Sequence, residues 1–365
     1  MKEGLSLQEL AGELARQREA KKDYVADTGC LMMNVAGKTK PTMVLRGVDH
    51  SHPIRSIAHR QLGEFAGIQA KYYDKMLGEA PGLLATNMNH WLTKNPDTRL
   101  VRTLDGDMRA FLSKTYRTLD NYDCFEAVYP VLERNKLTIQ SCEVTERKLY
   151  IKAIVKDRKV ELKAEGVEWG KGHDNIHVIQ PGIVISNSET GFSSVSVKPA
   201  IHDDYCSNLA VFTKDAARKI HIQGALKVSE DVLEYVKDET RRAADIVFWK
   251  TIQDLTEAAL EGGLFEKYVD GVRESMNLPV QGNPAKVVEV LAKDFGLTED
   301  ERNGVIERLI KSGEPTKYGV QAAITNLSGD IEDYDRASEL EEIGGRIIEL
   351  SPTQWTRTNE MALAA

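Results

Sequence analysis

Residues 99–112 read Arg-Leu-Val-Arg-Thr-Leu-Asp-Gly-Asp-Met-Arg-Ala-Phe-Leu. Two strand-like runs, 99–104 and 108–112, flank the pair Asp105-Gly106. An Asp-Gly pair between such runs meets the backbone demand of a tight reversal, so the stretch predicts an antiparallel β-hairpin. Arg102 and Arg109 then lie on paired strands, and the register decides whether they share a face.

The neighbouring elements follow from periodicity. Leu5, Leu7, Leu10 and Leu14 predict a short helix reaching about Lys21. The segment 31–45, interrupted at Gly37-Lys38, predicts a strand pair. Ser56 reads as the cap of one helix to about Leu77, and Pro81 as the start of another that ends near Asn95-Pro96. Beyond the hairpin come a helix over 122–135 and strands over 137–144 and 148–155. In the last of these, Leu149, Ile151, Ala153 and Val155 share one face while Lys148, Tyr150 and Lys152 share the other. Segments 175–187 and 192–199 form a further pair around Glu189-Thr190-Gly191. From about Lys214 the pattern is helical, with a long candidate over 229–261 and a linker at Gln281-Gly282-Asn283-Pro284. Thr298 and Glu301 complete a capping box. The expected fold class is α+β: antiparallel hairpins with packed helices over 1–210, then an all-helical, acidic region over 211–365.

Composition limits the function classes. The 365 residues are 41% apolar and 28% charged, as in a globular protein with a sizeable core. No apolar run approaches the roughly 20 residues of a bilayer span, and the charged N-terminal segment lacks a signal core. Neither a membrane partner nor secretion is expected, and a cytoplasmic location is. Cys30, Cys124, Cys142 and Cys206 stand far apart and read as reduced core thiols. The net charge of −8 is uneven: residues 295–365 hold 7 Lys/Arg against 14 Asp/Glu. The tail therefore carries nearly all the acidity, and a basic face on the body remains open.

Catalytic motifs are scarce. His50, Ser51, His52 and His59 form the best metal candidate, but without a Cys or acidic partner at a familiar spacing. His173 and His177 sit beside a glycine-rich loop, and His202-Asp203-Asp204 reads as a turn after Pro199. No GxSxG, Walker A, GxGxxG or HExxH motif occurs, so no metal, cofactor or catalytic residue is assigned. The positive signal is charge. Lys94, Arg99, Arg102, Arg109, Lys114 and Arg117 face only Asp97, Asp105 and Asp107 within their stretch, and Lys148 and Lys152 follow on the next hairpin. Tyr116, Tyr122 and Tyr150 are interleaved. Cations that track phosphates beside rings that stack on bases are what a single strand of nucleic acid requires.

The run 100–121 carries Arg102-x-x-Asp-Gly-x-x-Arg109-Ala-x-Leu-Ser-x-x-Tyr116-x-x-x-Asp-Asn121. It resembles the signature of a phage- and plasmid-borne family of unknown function. Three other stretches share the resemblance: the helix with Gln61-Leu62 and Tyr72-Tyr73; Ser186–Gly191 leading through Val197-Lys198-Pro199 to Cys206-Ser207-Asn208; and 318–325. Ser207-Asn208-Leu209 departs from it where an Asn-Gly turn is expected. The resemblance implies a mobile-element setting. The order of hairpin, helix and further antiparallel strands is similar to the core of single-strand annealing proteins of the Red-beta and RecT type, a likeness of topology alone.

Together these readings lead to a non-enzymatic single-stranded DNA-binding or annealing protein of recombination or replication, working as a homo-oligomer. Lys94, Arg99, Arg102, Arg109, Lys114, Arg117, Lys148 and Lys152 would track the backbone, with Tyr116 stacking on a base. The competing architectural role has Arg102 and Arg109 pairing with Asp107 or Asp120. Two alternative functions remain. One is a host-defence-blocking protein whose C-terminal helices bind a host or phage protein. The other is a metal-dependent enzyme on nucleotides or nucleic acid that uses Asp105, Asp107, His202, Asp203 and Asp204.

Overall fold

The computed structural model describes residues 1–36, 40–163, 176–204, 208–214, 238–260 and 262–364. The fold is α+β, with antiparallel sheets and a helical C-terminal region. Helix α1 (Leu7–Ala20) opens on a capping box made by Ser6 and Glu9. Strands β1 (Lys22–Asp27), β5 (Thr98–Leu104) and β6 (Asp107–Ser113) make one three-stranded sheet in the order β1-β5-β6. A second comprises β2 (Leu31–Asn34), β3 (Thr42–Leu45) and β4 (Ser51–Pro53). Helices α2 (Ser56–Phe65), α3 (Ala70–Glu79) and α4 (Pro81–Lys94) pack their apolar stripes on these two sheets. The single helix expected from Ser56 to Leu77 is broken at Gly67, whose φ of +65° ends α2, and Arg55 rather than Ser56 takes its cap position.

The largest sheet follows α5 (Asn121–Arg134). It comprises β7 (Thr138–Val144), β8 (Leu149–Ile154), β9 (Val160–Leu162), β10 (His177–Asn187), β11 (Ser196–Asp203) and β12 (Asn208–Val211). Its order is β12-β11-β10-β8-β7, with β9 also paired to β10. One face carries Leu149, Ile151, Ala153, Ile183 and Ile185, buried under Leu10 and Leu14 of α1 and Cys124, Val128 and Leu132 of α5. Helix α6, described as Asp238–Ala259, completes this layer with Phe248 and Ile252. The onset expected for that helix at 229, together with His173 and Cys206, falls outside the described residues.

The other face departs from the expected solvated basic surface. The C-terminal helices are α7 (Gly262–Met276), α8 (Pro284–Phe295), α9 (Glu299–Ser312), α10 (Lys317–Leu327), α11 (Tyr334–Ile348) and α12 (Pro352–Ala364), and α11 lies across this face. Tyr150 donates to Asp335 at 2.9 Å, Lys152 to Glu341 at 2.6 Å and Lys198 to Glu342 at 2.6 Å, all acceptors lying on α11. Glu341 and Glu342 of the tail thus neutralise lysines of the protein's own sheet. A boundary at residue 210 falls inside β12, and the helices beyond it return to the same sheet. Residues 281–284 form an exposed corner tied to the last helix: the Gln281 N–H donates to Asn359, and Gly282, at φ +77°, sits beside Leu363. The Thr298–Glu301 capping box is present as expected.

Lys152 and Glu341 are both fully buried. Removing one partner leaves an uncompensated charge in the interior, which costs about 3–5 kcal/mol. Lys152→Met is therefore expected to lower the urea midpoint strongly, and Lys152→Met with Glu341→Leu to recover most of it. Equal losses in the single and double variants would contradict an ion-pair role.

Candidate functional site

The hairpin of residues 99–112 turns at Asp105 (φ +54°) and Gly106 (φ +85°), the two positive angles of a type I′ turn. Its strands are out of simple register. Arg102 pairs with Ala110 and Thr103 with Met108, so Arg109 is an extra, bulged residue. A bulge re-aims side chains. Here it keeps Met108 and Phe111 in one core while Arg109 turns toward the loop between β10 and β11.

That loop is gripped by the quoted signature. Arg102, fully buried, donates to both carboxylate oxygens of Asp23 at 3.0 Å, to Asp120 at 2.6 Å and to the Glu189 carbonyl at 3.1 Å. Arg109 pairs with the Glu189 carboxylate, whose other oxygen accepts the Asn121 N–H at 2.6 Å. Tyr116 donates its hydroxyl to the Ser188 carbonyl at 3.0 Å. Gln61 joins the parts by accepting the Phe111 N–H at 2.7 Å and donating to the Thr190 carbonyl at 2.8 Å. Gly191, at φ +79°, has no room for a side chain, since a Cβ there would lie 2.6 Å from Leu112. Burial disfavours the ionised form of Asp120, but Arg102 and Lys21 outweigh it and hold its pKa below the usual carboxylate range.

Beyond this network lies a cleft of about 350 Å³. Arg109, Asn121, Glu189 and Thr190 form its inner wall, and Glu13 and Arg16 of α1, Arg55, Asp105 and the β7–β8 turn form the rest. Arg16 is committed to Glu13 and Asp105, and Arg55 to Asp107. The turn is built on Thr145, whose hydroxyl accepts the N–H groups of Arg147 and Lys148 at 3.1 and 2.9 Å. Among the described residues neither Arg147 nor Lys148 is in a salt bridge. Both lie over the ring of Phe192, at 5.1 and 5.5 Å from its centroid, and that ring is 52% exposed. Partial burial lowers the Lys148 pKa from its ordinary value.

The expected phosphate contacts therefore divide. Arg102, Arg109 and Lys152 are buried in ion pairs, so the strands do not present them as a basic surface. For Arg102 the architectural pairing with Asp120 holds. Arg99 pairs with Asp97 and packs on Phe65 and Phe111, while Arg117 pairs with Asp245 over the Phe248 ring. Tyr116 is half-buried with its hydroxyl engaged. Lys94 and Lys114 are exposed, and of the expected set the buried Arg109 and the partly buried Lys148 line the cleft. Arg147 and Phe192 were not singled out as a site. The adjacent Arg147-Lys148 pair at a strand-to-strand turn was the available signal, whereas Phe192 becomes a neighbour only through the fold.

Most of the metal and acid–base candidates are engaged with neighbouring groups. His52 is buried with Nδ1 2.7 Å from the Gly106 carbonyl, and His59 contacts the Tyr73 hydroxyl at 2.9 Å, its pKa pushed down to about 4 mainly by burial. Among the described residues no group of three or more His, Cys, Asp or Glu is placed to hold a metal ion. Cys124 and Cys142 are buried free thiols, and Cys30 is a partly buried one. Asp203 accepts from Tyr318 at 2.6 Å and lies 2.6 Å from Nδ1 of His177, whose Nε2 is 3.3 Å from Glu314. His202 is buried, which lowers its pKa, and Asp204 is exposed. Comparison with family models, characterised proteins and solved structures returned no match.

Burial alone would depress the His177 pKa, but hydrogen bonds to Asp203 and Glu314 outweigh it and raise it from 6.5 to about 9. A raised pKa contributes stability that is full below the unfolded value and fades as pH rises through the folded one. The stability gap between wild type and His177→Gln should thus be full below pH 6.5 and shrink toward pH 9 and above. A gap constant in urea unfolding from pH 6 to 9.5 would contradict the charged cluster.

Proposed function

We propose that this protein binds single-stranded nucleic acid, without chemical conversion, at the mouth of the cleft rather than along the β5–β6 strands. The observation that carries the reading is the set Arg147, Lys148 and Phe192: two cations outside any described salt bridge beside one exposed ring. A cation meets a phosphate and a ring face meets a base, and the two together form the repeating contact of a single-strand binder. The Thr145 hydroxyl fixes both cation-bearing backbones, so the contact is preorganised. The mobile-element resemblance favours recombination or replication as the setting, with annealing as the role. One such site offers few phosphate contacts, and a homo-oligomer that aligns several along one strand multiplies them.

The test is salt-dependent binding to a single-stranded oligonucleotide. Arg147→Glu with Lys148→Glu is expected to weaken binding more than tenfold and to flatten the log K against log salt slope by about 1.4, the value for two lost single-strand phosphate contacts. Phe192→Ala should cost about 1–3 kcal/mol of binding at an unchanged melting temperature. Undetectable or salt-insensitive binding by the wild type, or full affinity in these variants, would overturn the reading.

A further inference from the structure

The cleft has an inner end as well as a mouth. Arg109, Asn121, Glu189 and Thr190 at the inner end are each at most 6% exposed. Toward the outside, the side chains of Arg16 and Asp105 are 49% and 41% exposed, and Arg147 is exposed as well. Arg109 reaches this position because it is the bulged residue of β6, and among the described residues its buried Nε–H has no hydrogen-bond acceptor. A buried guanidinium donor without an acceptor is uncommon, and a ligand oxygen would satisfy it. An inner wall this buried suits a group that enters from the mouth better than a strand that passes through. At about 350 Å³ the cleft lies at the small end of ligand sites, with room for one nucleotide.

Charge narrows the ligand further. The lining mixes the cations of Arg109, Arg147 and Lys148 with the carboxylates of Glu146 and Glu189. A bare anion would be attracted by the first set and repelled by the second. A nucleotide satisfies both, because its phosphate oxygens accept while its sugar hydroxyl and base N–H groups donate. A phosphate monoester carries about −1.5 to −2 charges and three strong acceptor oxygens, more than a diester inside a strand offers. We infer that the cleft is a receptor for one nucleotide bearing a phosphate monoester, with the phosphate toward Arg109 and the remainder toward Phe192. The ligand is a strand end or a free nucleotide. The strand-end form rests on the single-strand reading above, and the free-nucleotide form does not.

The experiment compares wild-type affinities for one oligonucleotide sequence prepared with a 5′-phosphate, with a 3′-phosphate, with hydroxyl ends and as a closed circle, and for a free deoxynucleoside monophosphate. For a strand-end receptor, one phosphorylated form binds about tenfold tighter than the hydroxyl-ended and circular forms. The mononucleotide then removes that advantage by competition, and inorganic phosphate does so poorly. Arg109→Lys, checked for an unchanged melting curve, loses the advantage. Mononucleotide binding with no strand binding supports the receptor and overturns the single-strand reading. Equal affinity for all strand forms, with no mononucleotide binding, overturns the receptor and leaves single-strand binding standing. The wild-type comparison decides the matter even if Arg109→Lys fails to fold.

Discussion

The buried contact between the Arg102/Arg109 pair and the 187–191 loop holds the structure together. Arg102 bridges β1, β5, the start of α5 and the Glu189 carbonyl, and Arg109 holds the Glu189 side chain. Two guanidinium groups removed from water need carboxylates beside them, and Asp23, Asp120 and Glu189 supply these. Everything that shapes the cleft hangs on this arrangement. The bulge sets Arg109, Asn121 fixes Glu189, and the loop then carries Phe192 to its place beside the β7–β8 turn.

The acidic C-terminal helices answer the same electrostatic problem on the far face of the large sheet. Lys152 and Lys198 would be costly beneath a helical layer without Glu341 and Glu342 opposite them. The position of Asp335 is doubly useful, since it accepts from Tyr150 and from the Thr145 hydroxyl that organises the cleft turn. The tail therefore supports the candidate site from behind. The stretches quoted in the sequence resemblance share this logic: Tyr73 holds His59, Tyr318 holds Asp203, and Gly319 lies against the Glu314 carbonyl with no space for a Cβ.

Much of the fold was legible locally. The Asp105-Gly106 turn, the capping box at Thr298 and the inward face of β8 all follow from short-range chemistry. The outcome for the basic residues was not. Alternation places Lys152 opposite Ile151 but cannot say whether water or a helix covers that face, and here the cover is 189 residues away in sequence. The bulge at Arg109 was equally hidden, because Met108 and Phe111 look out of phase until an extra residue restores their common face. Within the site, Lys148 was found from its charge and alternation. Arg147, its neighbour in the chain, was not among the chosen residues, and Phe192 joins them through a contact that no local pattern encodes.

The most direct test is photocrosslinking of a single-stranded oligonucleotide to the intact protein, with the crosslinked residues located by mass spectrometry. Contact at the cleft mouth predicts crosslinks at Phe192 and in the turn at Glu146, Arg147 and Lys148. Crosslinks confined to Lys94, Lys114 and their neighbours, or none at all, would contradict it.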